Sequence, residues 1–399
     1  MPAATKSDKL AGLEEALNIF LSNVPQVDRS STLELEYVDN RVLAKGFVAP
    51  QDYPHYDRCF MDGYAVRAED TVSSHPGSPE AFLRIATGDT VGAGECRQVH
   101  TGSALPSGAD AVVKVEDTEA VAGGIRIFYQ AKPGENFTPK GKLIRQGELI
   151  FREGMQLKPT NIALIASMGI TEIEVYERPR VLIVPTGDEL VARGKKAGPG
   201  TINESNGLMC SLLVKRYGGK PAMWDIVPDN LEKLTEAVKA GLRYDLIITT
   251  GGTSVGKRDL MPQIVALMGR IVVHGVGIRP GRPVGMGYVE GEGHRTPIVF
   301  LPGFPDACAV GAMFFVERAI RKLGRYPPMR YPTDRAVISG DGLAPNRTRS
   351  ITKVMLNDRA ASIVPTVGSA AYEGEAAYIV TSSGEGYRAG DAVELIFLE

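Results

Sequence analysis

The sequence predicts a multidomain protein of the α/β and β class, in which one α/β domain has a sheet dominated by parallel strands. Strand-like and helical stretches alternate in the second half of the chain, which is typical of parallel strands joined by crossover helices. Short β-prone runs separated by glycine and proline precede this region and return after it. The chain has 399 residues, which is enough for several domains.

The N-terminal part of the chain predicts a helical domain interrupted by a β domain. An apolar stripe recurs at three- and four-residue steps and consists of Leu10, Leu13, Leu17, Phe20 and Leu21. After the linker APQDYPHYD, β-prone runs such as AFLRIATG, AVVKVED and GIRIFYQ follow one another, and helical character returns at KPTNIALIASMGI. We therefore predict a helical domain of residues 1–50 and 144–178, with residues 51–143 inserted as a β domain.

The second half of the chain predicts two further domains. The runs RVLIVP, YDLIIT and PIVFL read as strands, and NGLMCSLLVKRYG, LEKLTEAVKAGL and DACAVGAMFFVERAIRKLG read as helices between or after them. These stretches predict an α/β domain over residues 179–327. The proline-rich hinge GRYPPMRYP is followed by the strand-sized pieces SITKVML, ASIVPTV, AAYIVTS and AVELIFL. They predict a small C-terminal β domain over residues 328–399.

Composition excludes several classes of protein. The formal net charge is -2, so no global field attracts nucleic acid or an anionic membrane. No apolar run reaches the ~18 residues of a membrane span, and the first twenty residues are too charged for a secretory signal. The four cysteines form no C-x-x-C pair and the histidines show no zinc-ligand spacing. We expect a cytoplasmic protein that binds neither nucleic acid nor membrane.

Three of the predicted strands end in polar loops that contain glycine: PTGDEL, TTGGTSVGKRD and LPGFPD. Ligands of open parallel sheets bind beyond the carboxyl ends of the strands. Glycine lets backbone N–H groups approach a ligand closely, and a helix N-terminus attracts anions, so these loops suit a phosphate. Any one loop is equally well explained as a plain strand-to-helix turn. The candidate binding residues are Gly187, Asp188, Gly251, Gly252, Thr253, Ser254, Gly256, Pro302 and Gly303.

Carboxylates in the same loops predict a divalent cation. Asp188, Glu189 and Asp259 would repel a bare phosphate, and Mg²⁺ removes that conflict because it takes one or two carboxylates together with phosphate oxygens. We expect Glu189 and Asp259 to be its ligands. Neither a G-x-G-x-x-G nor a G-x-x-x-x-G-K-[ST] motif follows these strands, so a dinucleotide fingerprint and a P-loop are not supported.

The segment GIRPGRPVG predicts a second anion-binding element. Its prolines stiffen the backbone around Arg279 and Arg282, so that the two guanidinium groups could clamp an oxyanion. Solvated arginines beside a turn are the alternative. Asp62 in MDGYAV and Thr101 in HTGSALP each lie beside a glycine, and from the residues alone both are best explained as turn formers.

Six motifs together resemble those of one known family. In order they are MDGYAV, TGSALPSGADAVV, PTGDEL, TTGGTSVG with a following aspartate, RPGRP and LPGFPDA, and they are similar to the molybdopterin molybdenumtransferases of the MoeA family, to which the gephyrin E domain also belongs. The resemblance covers nearly the whole chain. It implies a homodimer whose subunit has a helical domain, an inserted β domain, an α/β domain of the molybdopterin-binding type and a C-terminal β barrel.

The resemblance also implies an activity. Members of this family use Mg²⁺ to insert molybdate into adenylylated molybdopterin and release AMP, and contact with the molybdopterin adenylyltransferase is a possible further interaction. The implied catalytic residues are Asp62, Thr101, Glu189, Asp229, Asp259 and Arg279, of which Asp62 and Thr101 would reach the pocket of the other subunit. Further implied binding residues are Arg282, Ser369 and either Arg347 or Arg349.

The chain departs from the family pattern at several positions. Leu149 stands beside Glu148 where a second carboxylate is common, Gly275 replaces a lysine beside His274, and Asp306 replaces a small or apolar residue. Cys59 replaces a serine, and Arg279 and Arg282 replace lysines, which differ from arginine in geometry. Two alternatives therefore stay open: a tungstate-specific paralogue that makes a tungsten cofactor, and a non-catalytic scaffold that binds the pterin.

Overall fold

The chain divides into two compact units, each described here by itself. The computed structural model describes residues 10–77, 81–252, 260–291, 293–363 and 375–398. The larger unit comprises Met1–Thr32, Asn40–Val42 and Glu174–Glu399, and the smaller unit comprises Leu33–Asp39 and Leu43–Ile173. The four domain boundaries expected from the sequence stay predictions.

The elements of the first half of the described chain are short. They are α1 (Leu13–Leu21), β1 (Ser30–Glu34), β2 (Phe47–Val48), β3 (Arg58–Cys59), β4 (Gly63–Val66), β5 (Ala81–Ile85), β6 (Glu95–Val99), β7 (Ala111–Lys114), β8 (Thr118–Val121), β9 (Gly124–Ile127), β10 (Phe137–Thr138), β11 (Leu149–Phe151), α2 (Pro159–Ser167) and β12 (Glu172–Tyr176). Single 3₁₀ turns lie at Leu35–Tyr37, Ala68–Thr71 and Val115–Asp117.

The second half contains the longer elements. They are β13 (Arg180–Pro185), β14 (Leu190–Val191), β15 (Ile202–Asn203), α3 (Asn206–Arg216), β16 (Lys220–Met223), α4 (Leu231–Gly241), β17 (Leu246–Thr250), α5 (Leu260–Met268), β18 (Gly269–His274), β19 (Ile278–Arg279), β20 (Gly285–Gly291), β21 (His294–Leu301), α6 (Pro305–Gly311), α7 (Glu317–Leu323), β22 (Thr333–Ser339), β23 (Arg349–Asn357), β24 (Ala360–Ile363), β25 (Glu375–Thr381) and β26 (Ala392–Ile396). A π-helical segment at Ala312–Val316 joins α6 to α7.

The smaller unit is built around a six-stranded sheet in the order β7-β4-β6-β5-β9-β8. Its pairings are antiparallel except for the parallel pair of β5 and β6. Apolar residues of alternating strand positions, among them Leu83, Val113 and Ile125, are buried in its core. The β character expected of the inserted segment is therefore confirmed.

The larger unit contains a mixed six-stranded sheet in the order β16-β13-β17-β21-β20-β18. The pairs β16/β13, β13/β17 and β17/β21 are parallel, and β20 and β18 add an antiparallel edge that the sequence analysis did not identify. Alternate residues of β13 enter different cores, because successive side chains of a strand point to opposite faces. Val181 and Ile183 pack with α1, α3 and α7, and Leu182 and Val184 pack with α4 and α5. Both faces of the parallel strands are covered, as expected for an α/β sheet.

A closed β barrel forms the C-terminal part of the larger unit. Strands β23, β24, β22, β26 and β25 pair in that order, and β25 pairs back to β23. Four of these strands were expected from the sequence, and β22 was not. Short β19 pairs with β23 at the barrel's margin, Ile278 opposite Arg349.

The helices of the described chain are short. Within the described ranges, none has the combination of length and apolar character that a membrane crossing requires. All four cysteines are buried free thiols. Inward-facing Leu13, Leu17 and Phe20 confirm the apolar stripe expected of α1.

Candidate functional site

The carboxyl ends of three parallel strands lie in register beside one another. Pro185 of β13 is opposite Thr250 of β17, which is opposite Leu301 of β21. Hydrogen bonds continue the alignment into the loops, since the Thr186 N–H donates to the Thr250 carbonyl at 3.0 Å and the Gly251 N–H donates to the Leu301 carbonyl at 2.9 Å. We call this row of loops the carboxyl edge; it comprises residues 186–189, 251–252 and 302–303.

Glycine is required where the loops of the carboxyl edge approach most closely. Gly251 has a φ of +101°, and a Cβ atom on it would overlap the Thr186 carbonyl oxygen. A Cβ on Gly303 would lie 3.7 Å from the Gly251 Cα atom, which is an ordinary van der Waals contact. Close packing of these loops therefore requires glycine at position 251 but not at position 303.

Three carboxylates surround the first loop of the carboxyl edge. The Asp188 Oδ1 atom accepts a hydrogen bond of 3.0 Å from the Asp229 N–H, and the Thr186 hydroxyl donates to Asp229 Oδ1 at 3.3 Å. The Glu189 carboxylate lies against Gly187, at the position that a Cβ atom there would take. The structure thus brings together Asp188, Glu189 and Asp229, which are more than forty positions apart at the extremes.

The donor chemistry of this acidic loop fits Mg²⁺. Magnesium prefers carboxylate oxygens, and it needs only one or two of them because it keeps waters and takes phosphate oxygens of the substrate. Among the residues that the structure describes, no cluster of three or more His, Cys, Asp or Glu side chains is arranged to hold a metal by itself. Glu189 and Asp188 can therefore supply part of a ligand set that substrate would complete.

Two residues, Thr186 of the carboxyl edge and Asn206 in contact with it, were not identified from the sequence as part of the site. Asn206, the first residue of α3, donates from Nδ2 to the Gly303 carbonyl at 2.8 Å. Thr186, which is 1% exposed, carries the hydroxyl that meets Asp229. Thr186 lies inside the quoted motif PTGDEL and could have been found there, whereas Asn206 is 97 positions from Gly303 and gives no local signal.

Residues 277–284, GIRPGRPV, lie between β18 and β20, and we call them the arginine loop. Arg279 ends β19, and its Nη1 atom donates to Asn346 Oδ1 at 3.4 Å. Gly281, between the two prolines, lies close to α6, since a Cβ built on it would be 3.6 Å from Val310 Cγ1. That helix starts two residues after Gly303 of the carboxyl edge. The arginine loop and the carboxyl edge therefore flank the same helix.

Three arginines share a cleft of about 880 Å³ in the larger unit, which we call the arginine cleft. It contains Arg282, Arg347 and Arg349, and residues of the first turn of α1 line its other side. The Arg349 guanidinium is 3.6 Å from the Glu14 carboxylate. The structure brings Arg282 together with both candidate barrel arginines, so the choice between Arg347 and Arg349 stays open.

Asp62 and Thr101 form a hydrogen-bonded pair in the smaller unit. The Asp62 Oδ1 atom accepts from the Thr101 N–H at 2.6 Å and from the Thr101 hydroxyl at 3.0 Å. These bonds, chiefly the one from the backbone N–H, hold the pKa of the Asp62 carboxyl below its ordinary value of 3.8. Asp62 is thus an ionised, exposed carboxylate at neutral pH.

Some predicted positions lie outside the described residues or away from these contacts. Thr253, Ser254, Gly256, Asp259 and Ser369 are not among the described residues. Among the departures from the family pattern, Leu149 is an exposed residue of β11 at 53% exposure, Asp306 lies in the first turn of α6, and Gly275 has a φ of +84°. The functional roles of all these positions stay predictions.

Comparison with known families accounts for most of the chain. The MoeA N-terminal region (domain I and II) matches residues 11–169, and a probable molybdopterin binding domain matches residues 182–322. A molybdopterin molybdenumtransferase of Nostoc is 36% identical over 328 residues, which are 79% of this chain and 75% of that protein. The chain belongs to the MoeA family of molybdopterin molybdenumtransferases.

Other members of the MoeA family show similar likeness over the full length. A molybdopterin molybdenumtransferase of Staphylococcus aureus is 30% identical over 388 residues, covering 92% of this chain and 91% of that protein. A crystal structure of the molybdopterin biosynthesis MoeA protein of Pyrococcus horikoshii has a TM-score of 0.81 at 28% identity, covering 98% of this chain and 100% of that chain. Membership of the family makes this chain a transferase of molybdenum cofactor biosynthesis.

Proposed function

We propose that this chain inserts molybdate into adenylylated molybdopterin in a Mg²⁺-dependent reaction that releases AMP, and that it acts in the cytoplasm as a homodimer. The observation that carries the proposal is the carboxyl edge, where three loops that follow parallel strands lie side by side, next to the carboxylates of Asp188, Glu189 and Asp229. Ligands of open parallel sheets bind beyond the carboxyl ends of the strands, which is where the phosphate-bearing substrate would lie. The acids suit the cation that a phosphoanhydride brings with it.

The residues of the carboxyl edge would bind and orient the phosphate-bearing end of the substrate. Asp188 and Asp229 are already held by hydrogen bonds, so the loop is ordered before substrate arrives. Preorganised groups need no reorganisation during the reaction, which is the main way in which such a site lowers a barrier. Glu189 and Asp188 would hold Mg²⁺, with Asp259 as the ligand that family resemblance adds. Bound Mg²⁺ would neutralise charge on the phosphoanhydride.

The arginines would supply the second half of the site, which holds the oxyanion. Arg282, Arg347 and Arg349 give their cleft an excess of positive charge over Glu14 and Glu15. Guanidinium groups form paired hydrogen bonds to tetrahedral oxyanions, and molybdate is such an anion. Arg279 is oriented by Asn346, and family resemblance adds Ser369. Bringing two anions together is a task of positioning and charge neutralisation, which needs no covalent intermediate.

The smaller unit would contribute the pair of Asp62 and Thr101. We assign them, on the family resemblance, to the pocket of the other subunit in the homodimer. The lowered pKa of Asp62 supports a carboxylate that stays charged at neutral pH. Contact with a molybdopterin adenylyltransferase is part of the same proposal, because the adenylylated substrate must be delivered.

The proposal is tested by following AMP release from adenylylated molybdopterin with Mg²⁺ and either molybdate or tungstate. Arg282→Ala should lower the rate of AMP release by roughly a hundredfold, because one preorganised charged donor to a reacting group is worth about 10²–10³ in rate. Arg270→Ala is the matched control, since Arg270 is an exposed arginine of β18, and it should leave the rate unchanged.

Three outcomes would contradict the proposal. Equal rates of AMP release in Arg282→Ala and in the unsubstituted protein would show that the arginine cleft does not hold the oxyanion. Turnover with tungstate but not with molybdate would identify a tungstate-specific paralogue. Binding of the adenylylated pterin without any release of AMP would identify a non-catalytic scaffold.

A further inference from the structure

A second cleft lies at the opposite edge of the mixed sheet, where the parallel strands begin. Arg180 is the first residue of β13, and Asp245 immediately precedes β17. The cleft has a volume of about 680 Å³ and is contained within the larger unit. We call it the amino-edge cleft. Its polar lining includes Arg29, Arg180, Lys239, Arg243, Asp245 and His294.

The interior of the amino-edge cleft is held by an ordered ion pair. Arg29 donates from Nη1 and Nη2 to the two Asp245 carboxylate oxygens at 3.0 and 2.7 Å. The Arg180 N–H donates to the same carboxylate at 2.7 Å, and the Asp245 side chain is only 11% exposed. Asp245 is therefore neutralised and saturated by protein donors, so it presents little negative charge to a bound anion.

The two walls of the amino-edge cleft are tied to each other. Thr296 of β21 is 2% exposed, and its hydroxyl lies 3.3 Å from the Leu242 carbonyl and 3.4 Å from the Tyr244 carbonyl. These contacts join the turn after α4 to the hairpin of β20 and β21. Groups on the two walls consequently keep a fixed separation, which lowers the entropy lost when a ligand is bound.

Two of the cations that line the amino-edge cleft form no ion pair with the residues that the structure describes. Asp28 pairs with Arg325, and Glu290 pairs with Arg295. Lys239 and Arg243 have no ionic partner among the residues that the structure describes; the Arg243 Nε atom donates only to the Ala240 carbonyl, at 3.2 Å. Lys239 lies in the last turn of α4 and Arg243 in the turn that follows the helix, and these two exposed residues line the same cleft.

Compensation of the α4 dipole explains only part of this positive charge. A helix C-terminus carries about half a negative charge, so one cation is ample to offset it. Lys239 lies in the last turn of α4, and Arg243 adds a second full charge two residues beyond its end. His294 lines the facing wall and can donate a further hydrogen bond. Both cations line the amino-edge cleft, so the excess positive charge is concentrated around one cleft.

We propose that the amino-edge cleft is a second anion site, which binds a small molecule bearing a phosphate group. Its volume is that of a small-molecule site. Lys239 and Arg243 would hold the phosphate oxygens, and the rest of the molecule would lie along Tyr244, Leu242 and Val27 of the lining. Two unpaired cations that line one cleft suit a single phosphate group, whose oxygens accept charge-assisted hydrogen bonds.

Pyrophosphate is the probe that tests this site. Calorimetric titration gives its affinity, and hydrogen–deuterium exchange with mass spectrometry locates the amides that it protects. We expect protection of the backbone at residues 239–245 and 294–296. In Lys239→Ala/Arg243→Ala, that protection should be lost. The affinity for pyrophosphate, measured from the protection of these amides, should fall roughly tenfold or more, since two charge-assisted hydrogen bonds are removed.

The matched control is Lys215→Ala/Arg216→Ala. These two residues are the basic residues in the last turn of α3, so the control removes the same charge from a helix C-terminus without touching the amino-edge cleft. It should bind pyrophosphate at residues 239–245 as the unsubstituted chain does. Because the readout is local, protection at the arginine cleft is scored separately and does not depend on the proposed transferase reaction.

Three results would overturn the proposal. The first is the absence of protection at residues 239–245 at millimolar pyrophosphate. The second is equal loss in the control and in Lys239→Ala/Arg243→Ala, which would show that pyrophosphate is attracted by positive charge in general and not by this cleft. The third is protection by a short polyglutamate peptide but not by pyrophosphate, which would make the cleft a peptide-binding surface.

Discussion

The two edges of the mixed sheet are built by different means, although the same strands end at both. At the carboxyl edge, backbone packs on backbone, and the missing Cβ atom of Gly251 lets its loop approach the Thr186 carbonyl. At the amino edge, Arg29 and Asp245 link separate segments through side-chain charge. A close backbone contact has no tolerance for an added atom, whereas an ion-pair network can lose one partner and rearrange. The two edges should therefore differ in how sharply they respond to substitution.

The largest effect is expected from Gly251→Ala at the carboxyl edge. Its Cβ atom would overlap the Thr186 carbonyl, and its φ of +101° is strained for any L side chain. The free energy of unfolding should fall by about 2–4 kcal/mol, from backbone strain and overpacking together. Urea titration measures this loss through the fluorescence of Trp224, the chain's one tryptophan, which lines the same cleft as Gly187 and Asp188 of the carboxyl edge.

Gly252→Ala is the control for the Gly251→Ala experiment. Gly252 also has a positive φ, of +67°, but a Cβ atom there would meet its nearest neighbour at an ordinary 3.5 Å. The loss should be about 1 kcal/mol, the cost of a left-handed conformation alone. Equal losses at both glycines would show that close packing of the loops does not stabilise this edge.

A smaller effect is expected from Asp245→Ala at the amino edge. The substitution removes the acceptor of two hydrogen bonds from Arg29 and of one from the Arg180 N–H. The free energy of unfolding should fall by about 1–3 kcal/mol, because three hydrogen bonds to a nearly buried carboxylate are lost. Glu290→Ala breaks an exposed pair with Arg295 and should cost about 0–1 kcal/mol in the same urea titration. A larger loss in Glu290→Ala than in Asp245→Ala would contradict this account.

The smallest effect is expected at Asp62, a carboxylate of the smaller unit held mainly by a backbone N–H. Its folded pKa lies below 3.8, so its contribution to stability is present above that pH and is lost as the pH falls through the folded value. In Thr101→Val, the hydroxyl donor is gone and the backbone N–H remains. The Asp62 pKa, measured by carbon-detected NMR titration, should rise part of the way toward 3.8. A return all the way would mean that the backbone bond contributes nothing.

Much of the fold could be predicted because its signals are local. Alternating apolar runs identified β13, β17 and β21, and three- and four-residue spacing identified α1, α3 and α4. The antiparallel strands β18 and β20 were both missed, and β20 was missed because its sequence, GMGYVEG, holds glycines that a strand normally avoids. Those glycines are explained by crowding, since a Cβ on Gly285 or Gly287 would overlap the neighbouring strand. Strand β22 was missed because its first half is polar and exposed.

The candidate site was predictable to a smaller extent. Glycine-containing loops after strands indicated the carboxyl edge, because parallel strands direct their ends to one side. The contact between Asn206 and Gly303 and the ion pair of Arg29 with Asp245 could not be found in the same way. Each joins residues that are far apart in the chain, and neither residue type carries a signal for its partner.

The sequence by itself determined the element types, the family and the loops that carry glycine and carboxylate, because periodicity and motifs depend on neighbouring residues. Only the tertiary structure decided which acidic side chains lie close together and which cations of the described residues form no ion pair. It also decided at which edge of the sheet each of these groups lies. The reason is that pairing energies depend on distance in space, and the chain sets that distance only when the sheet is complete.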